Sequence, residues 1–232
     1  ILMIIKLINK SHYKLKIIFR QFFYYFRFFK NNRKKHWNVK NFENYDEYIS
    51  FQKEKTLDQT KRAKWLNDEW DEKVEFFDEI FKKLFKEINL NHKGKCLCIG
   101  ARTGQEVYSL QKLGFFAIGI DIVECKPLVE VGDMHNLEYP DNSFDFIFCN
   151  ILDHSLYPEK SISEIERVLK KDGHSFLQIT VGEATDKYGV TEIKSDQGVI
   201  NLFKKSEIVF NRSIKHYSIA QNWEVLTKKI DE

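Results

Sequence analysis

Four groups of residues in this chain of 232 have the types and spacing to bind and transform a small molecule. The first is the run 95–106, KCLCIGARTGQE. Its apolar start reads as a buried strand and residues from Gln105 as the opening turn of a helix. Gly100 and Gly104 let the turn between them approach a ligand where a Cβ would clash, and the free N–H groups of the helix face that ligand. The second is Asp121, 21 positions after Gly100 and at the end of the next apolar run. In nucleotide-binding α/β folds a carboxylate at this spacing accepts hydrogen bonds from two ribose hydroxyls. The third is Gly132-Asp133-Met134: Asp133 can accept from an adenine amino group, and Met134 offers an apolar face and a backbone N–H. The fourth, Asn150-Ile151-Leu152-Asp153-His154, follows an apolar run at the edge where ligands of open α/β sheets bind. His154 is the candidate general base, because histidine as a type titrates near neutral pH, with Asp153 as its orienting partner or a substrate contact. The competing reading of His154 is a cap or packing residue for the next segment. His135, beside the adenine-type loop, reads as structural.

The spacing also excludes ligands. A dinucleotide loop needs G-x-G-x-x-G, so that the middle glycine admits the pyrophosphate; here the third position is Arg102 and the sixth Gln105. No Gly-Lys-Ser/Thr follows, which removes a Walker loop. No His/Cys pair has zinc spacing, so no metal is expected, and Cys96 and Cys98 read as packing residues on one face of a strand.

Taken together, residues 95–181 resemble a class I S-adenosylmethionine-dependent methyltransferase of the broad type 11 group. CIGARTG is similar to that family's first motif, and FFAIGIDI to its second strand with the ribose acid. GDMHNLEYPDNSFDFIFCNILDH resembles the adenine loop, fourth strand and substrate-facing segment, and SISEIERVLKKDGHSFLQI the following helix, turn and fifth strand. The resemblance implies S-adenosyl-L-methionine as cofactor. It sets Gly100, Ala101, Arg102 and Gly104 at the methionine end, Asp121 and Ile122 at the ribose, Asp133 and Met134 at the adenine, and Asn150 near the sulfonium. Two positions depart. Cys98 stands where the family commonly has an acid, which weakens the grip on the cofactor's amino group. Arg102 stands where it commonly has glycine, and is expected to pair with the cofactor carboxylate.

These residues need a frame to hold them. Strands are expected at 96–99, 115–120, 128–131, 144–149 and 175–181, with helices at 105–113 and 159–171. Only six residues separate Asp121 from Leu128, too few for a crossover helix, so the second helix of the alternation is missing. A short helix near 202–208 and strands at 213–220 and 223–230, linked through 221–222 as an antiparallel hairpin, complete the frame. Upstream, Trp65, Trp70, Val74, Phe77, Phe81, Leu84, Phe85 and Ile88 recur at helical spacing among charged residues. The reading is an α/β fold: a Rossmann-like class I methyltransferase sheet, mostly parallel, with an antiparallel C-terminal hairpin, helices on both faces and a helical N-terminal extension. The extension covers 43–92 and the domain 93–232. The extension and the segment 183–201, with Tyr188 and Asp196, are expected to form the substrate lid.

Charge is unevenly spread. Residues 1–42 hold eleven of the 37 Lys and Arg and none of the 34 Asp and Glu, so this arm carries +11 and the rest −8, within a net +3. Its basic residues interrupt every apolar run well short of a membrane span, and it lacks the cleavage site of a secretory signal. Three readings stay open: a disordered stretch translated from AT-rich DNA upstream of the true start, a basic aromatic helix on an anionic membrane with Phe22, Phe23, Phe26 and Phe29 on its apolar side, or a nucleic-acid contact. The −8 remainder argues against a nucleic-acid substrate. The cysteines lie in apolar runs, as expected of a reduced, cytoplasmic chain, peripheral to the inner face of a membrane if the arm binds there. The expected activity is methyl transfer to a small-molecule or glycan/lipid-linked acceptor at oxygen; the alternative is a catalytically silent binding or interaction module.

Overall fold

The computed structural model describes residues 37–90, 94–182, 187–215 and 221–230. The readings placed on the first 36 residues lie outside these. Residues 37–39 of the basic arm lie inside them, as strand β1 (Trp37–Val39). Three helices follow: α1 (Tyr45–Leu57), α2 (Gln59–Leu66) and α3 (Trp70–Glu87). The first two begin where a side chain caps free amides: Asn44 accepts from the Glu47 N–H, and Asp58 from those of Thr60 and Lys61.

From Lys95 the strand–helix alternation builds the main sheet from β2 (Lys95–Ile99), α4 (Gln105–Lys112), β3 (Phe116–Asp121), β4 (Val129–Val131), β5 (Phe144–Cys149), α5 (Pro158–Val168) and β6 (Leu169–Ile179). A short strand β7 (Thr191–Ile193), a helix α6 (Asp196–Ile200), and strands β8 (Ser206–Ser213) and β9 (Trp223–Lys229) complete the chain. The seven strands lie in the order β4-β3-β2-β5-β6-β9-β8. Pairings from β4 to β6 are parallel, and β9 runs antiparallel to both its neighbours. β3 joins β4 without a helix. β1 pairs antiparallel with β7 in a separate two-stranded ribbon.

The central strands are apolar on both faces because both are covered. On one face Cys96, Cys98, Phe146, Phe148 and Phe176 meet Phe77, Phe81 and Phe85 of α3 and Val107 and Leu110 of α4. On the other, Leu97, Ile99, Ile147, Leu177 and Ile179 meet Ile162 and Ile165 of α5. A buried polar clasp locks α3 to α4: Asp78 accepts from the Ser109 hydroxyl at 2.6 Å and from the Lys112 ammonium at 2.6 Å.

Four boundaries differ from the sequence reading. The helix expected over 159–171 stops at Val168, and β6 starts at Leu169. Leu169 is fully buried and pairs with Phe144, while the Lys170 ammonium bonds Asp145 at 2.9 Å. Together these draw the chain into the sheet before Gly173. The helix expected near 202–208 lies earlier, at α6, capped by Ser195. The Glu166 carboxylate takes the backbone N–H groups of Lys204 and Lys205, which holds that stretch out of a helix. Of the strand expected over 213–220, residues 216–220 lie outside the described residues; the strand that pairs with β9 is β8, which lies earlier and ends at Ser213.

Candidate functional site

The sheet order reverses between β2 and β5, and the candidate residues gather at the carboxyl ends of β2, β3 and β5, where open α/β sheets bind ligands. The turn after β2 is left-handed at Gly100 (φ +77°), Arg102 (φ +48°) and Gly104 (φ +92°). The Gly100 and Ala101 amides bond back to the Ile120 carbonyl, which ties the turn to the tip of β3. A Cβ on Gly104 would meet Leu128 at 2.7 Å, so this glycine serves the packing of the loop on the β3–β4 connection. Arg102 takes a conformation that favours glycine, and its guanidinium lies 4.4 Å from the Trp65 ring centroid of α2.

Two adjoining cavities open here. The first, of about 590 Å³, is lined by Gly100, Arg102, Asp121, Ile122, Asp133, Met134 and His154, together with Tyr48, Gln52, Lys55 and Thr56 of α1. The second, of about 1270 Å³, shares Lys55, Gly100, Arg102, Ile151 and His154 with the first. It adds Ala101, Glu106, Asn150 and Asp153, and reaches outward past Glu69, Glu72, Lys73 and Phe76. Ten of the eleven candidate residues thus line one continuous cleft, and Gly104 lines neither part.

Asp121 is set for a diol. One carboxylate oxygen accepts from the Arg102 amide at 3.1 Å and the other from the Val123 amide at 3.2 Å, which leaves each oxygen a further lone pair. Burial raises its pKa, against the pull of the two amides and the Arg102 charge.

Asp133 belongs to a network anchored from α1. Tyr45 donates its hydroxyl proton to Asp133 at 2.6 Å, and the backbone N–H of His135 donates to the other oxygen at 2.8 Å. His135 is 1% exposed. Its Nε2 accepts from the Tyr157 amide, so Nδ1 carries the proton and points at Asp133 Oδ1, 2.9 Å away. Burial raises the Asp133 pKa, but the bonds from His135 and Tyr45 outweigh it and hold the carboxyl down at about 2. Tyr45→Phe is therefore expected to raise the Asp133 pKa and to cost about 1 kcal/mol at neutral pH. A depressed carboxyl stabilises the fold above its ordinary pKa, and that contribution is lost as pH falls toward about 2, so the cost fades over the same window. Urea midpoints at pH 7 and pH 3 test this; an equal cost at both would show that the hydroxyl acts through packing alone.

His154 sits in a short 3-10 turn, Leu152–His154. Its Nδ1 lies 2.9 Å from the Gln52 side-chain oxygen, while the Gln52 amide nitrogen donates to the Tyr188 carbonyl at 2.8 Å. That oxygen can only accept, so His154 carries a proton on Nδ1. Asp153 lies 4.0 Å from Nε2, beyond hydrogen-bond range, so Gln52 rather than Asp153 fixes the ring.

Tyr188, expected to belong to a lid with Asp196, is buried against Phe51, and Asp196 accepts from the Asn211 amide; neither lines the cleft. The residues of the 43–92 extension that line the cleft come from α1 and from the start of α3. Sequence reading also passed over Glu106. It is 5% exposed and lines the second cavity, one residue into α4. The missing acid at Cys98 was the signal that could have prompted a search for a nearby carboxylate.

Comparison with known proteins bears on the family and the fold. Residues 97–177 match the family described as "Methyltransferase domain". An uncharacterized methyltransferase of Bacillus subtilis, YcgJ, is 30% identical over 46% of this chain and 49% of its own length, so the chain spans about half of that curated relative. By fold, the chain is similar to a Burkholderia thailandensis 1,6-didemethyltoxoflavin-N1-methyltransferase solved with its substrate and S-adenosylhomocysteine (TM-score 0.62, 14% identity, 83% of this chain and 92% of that one). It is also similar to the [4+2]-cyclase SpnF (TM-score 0.54, 16% identity, 67% and 81%). These two likenesses speak for the fold alone, and their different reactions leave the chemistry to be argued from the site. By sequence, then, residues 97–177 are similar to a methyltransferase domain, and the fold around them is one that solved methyltransferases share.

Proposed function

We propose that the cleft binds S-adenosylmethionine and that the chain transfers its methyl group to the oxygen of a polar small molecule or glycan held in the second cavity. The observation that carries this reading is Asp121, whose two oxygens each keep a lone pair toward the cavity after binding one backbone amide. The donor set fits the cofactor: a diol acceptor at Asp121, the apolar side chain of Met134 beside Asp133, and a glycine turn that brings backbone to the cavity wall.

When bound, the cofactor supplies a methyl group on a positively charged sulfur. The chain's own residues do the rest. Gly100, which lines both cavities, and Ala101 and Asn150, which line the second, hold donor and acceptor in line, which can lower the barrier by several kcal/mol. His154 lines both cavities and takes the proton of an acceptor hydroxyl as that oxygen becomes nucleophilic. Gln52 holds a proton on Nδ1, so that Nε2 is the nitrogen left to act as base in the neutral ring. Lys55, Glu69, Glu72 and Lys73 at the outer cavity favour a polar acceptor. Among the described residues no helix is long and apolar enough to cross a membrane.

The test is calorimetric titration of the chain with S-adenosylhomocysteine. Wild type is expected to bind, and Asp121→Ala to bind about 30-fold more weakly, the equivalent of about 2 kcal/mol for a hydrogen-bonded charge. A folded wild type that takes up no ligand would sink the cofactor reading. Equal affinity in the variant would remove Asp121 from the ribose.

A further inference from the structure

A methionine tail brings a positive ammonium and a negative carboxylate into the cleft, and each needs a partner there. The strand position under the turn holds Cys98, a thiol with its pKa raised first by burial and then by the charge of Glu106. It offers no negative charge. The charge that reaches it marks where the nearest carboxylate lies. Glu106 is buried in the first turn of α4, lines the second cavity beside Gly100, Ala101 and Asn150, and forms no ion pair among the described residues. The donor facing it is its own backbone N–H. Of the other carboxylates along that wall, Glu69 is already held by Lys64 at 2.9 Å and Lys73 at 2.5 Å.

We propose that Glu106 is the anchor for the cofactor's α-ammonium, a carboxylate supplied from the helix in place of one on the strand below. The inference rests on the cofactor reading. A buried carboxylate without a cation is costly, and a ligand that brings one recovers part of that cost on binding. The charges acting on Glu106 are Arg102 in the turn, Asp121 on β3 and Lys73 on α3, while the Cys98 thiol on β2 feels the charge of Glu106 in turn. Burial is the largest influence and lifts its pKa to about 7. Ligand binding should therefore draw a proton off Glu106 near neutral pH.

Two probes separate the outcomes: S-adenosylhomocysteine and its analogue lacking the α-amino group. Glu106→Gln, checked for folding by circular dichroism, is expected to bind S-adenosylhomocysteine about 10-fold more weakly and the deaminated analogue as wild type does. Wild-type affinity for S-adenosylhomocysteine should rise with pH through about 7, and that slope should vanish in the variant. Calorimetry of the wild type at pH 7 in buffers of different ionisation enthalpy should detect release of about half a proton with S-adenosylhomocysteine and none with the analogue, a measurement that needs no variant. Tight binding of S-adenosylhomocysteine without proton release, or equal loss of both probes in Glu106→Gln, overturns the assignment while the cofactor reading stands. Failure of folded wild type to bind either probe overturns both.

Discussion

Phe81→Ala is expected to destabilise the fold by about 3–5 kcal/mol. Phe81 is 0% exposed and is the centre of the aromatic cluster between α3 and the sheet. Its ring stacks on Phe77 and Phe85, each with centroids 5.9 Å away. It also meets the edges of Phe148 at 5.2 Å and Phe146 at 6.2 Å on β5. Truncation removes the ring, leaves a cavity walled by four others, and loses aromatic contacts worth about 0.5–1.5 kcal/mol each beyond their area. Against a typical total of about 5–15 kcal/mol the variant should fold only marginally. A urea midpoint lowered by about 2 M would match the expectation. A drop equivalent to less than about 1 kcal/mol would mean that α3 does not seat on the sheet through this residue. The site depends on the same contact, because Phe148 lies two positions before Asn150 and sets the height of the strand tip that leads to His154.

How much of this was legible in the sequence follows from the range of the interactions involved. The five parallel strands were readable because strands covered on both faces appear as short uninterrupted apolar runs punctuated by turns, and the missing crossover after β3 was readable from chain length alone. Asp121 and Asp133 were readable because a strand tip followed by a loop carries its acid at a nearly fixed distance from the glycine turn. Which residues of the helical extension face the cleft was not. Tyr45, Tyr48 and Gln52 reach Asp133, His154 and each other's neighbourhoods across 88 to 106 residues, and nothing in the helical spacing of α1 marks which face will be polar and buried. The C-terminal register slipped for a similar reason. β8 is an edge strand with alternating half-exposed positions, a weak pattern, and its start is set by Glu166 some 38 residues earlier holding the Lys204 amide. Arg102 also has a neighbour the sequence did not single out for it: its guanidinium lies against Trp65, a residue the sequence marks only as part of an amphipathic stripe.

Between about pH 4.5 and pH 8 the wild type is expected to lose about 3 kcal/mol of stability that Glu106→Gln retains. Burial raises the Glu106 carboxyl from its ordinary 4.5 to about 7. Below pH 4.5 the residue is protonated in both folded and unfolded chains and contributes no slope. From 4.5 to 7 the unfolded chain has released its proton while the folded one keeps it, so stability falls as pH rises; above about 7 both are ionised and the loss is complete. A shift of that size is worth about 3 kcal/mol at roughly 1.4 kcal/mol per pH unit. Glutamine resembles the protonated acid at every pH, so the difference between variant and wild type isolates this one group from all other titrations. Urea midpoints of both proteins at pH 4.5, 6, 7 and 8 give the curve, and a pH-independent difference would mean that Glu106 is ionised in the folded chain throughout. S-adenosylhomocysteine then distinguishes cost from purpose. If the cofactor's ammonium meets this carboxylate, saturating ligand should raise wild-type stability at pH 8 by more than it raises that of Glu106→Gln, and the advantage of the variant should shrink. A site that keeps an unpaired acid in its wall is destabilised in order to bind, and the sign of that change separates such a site from a carboxylate buried for packing alone.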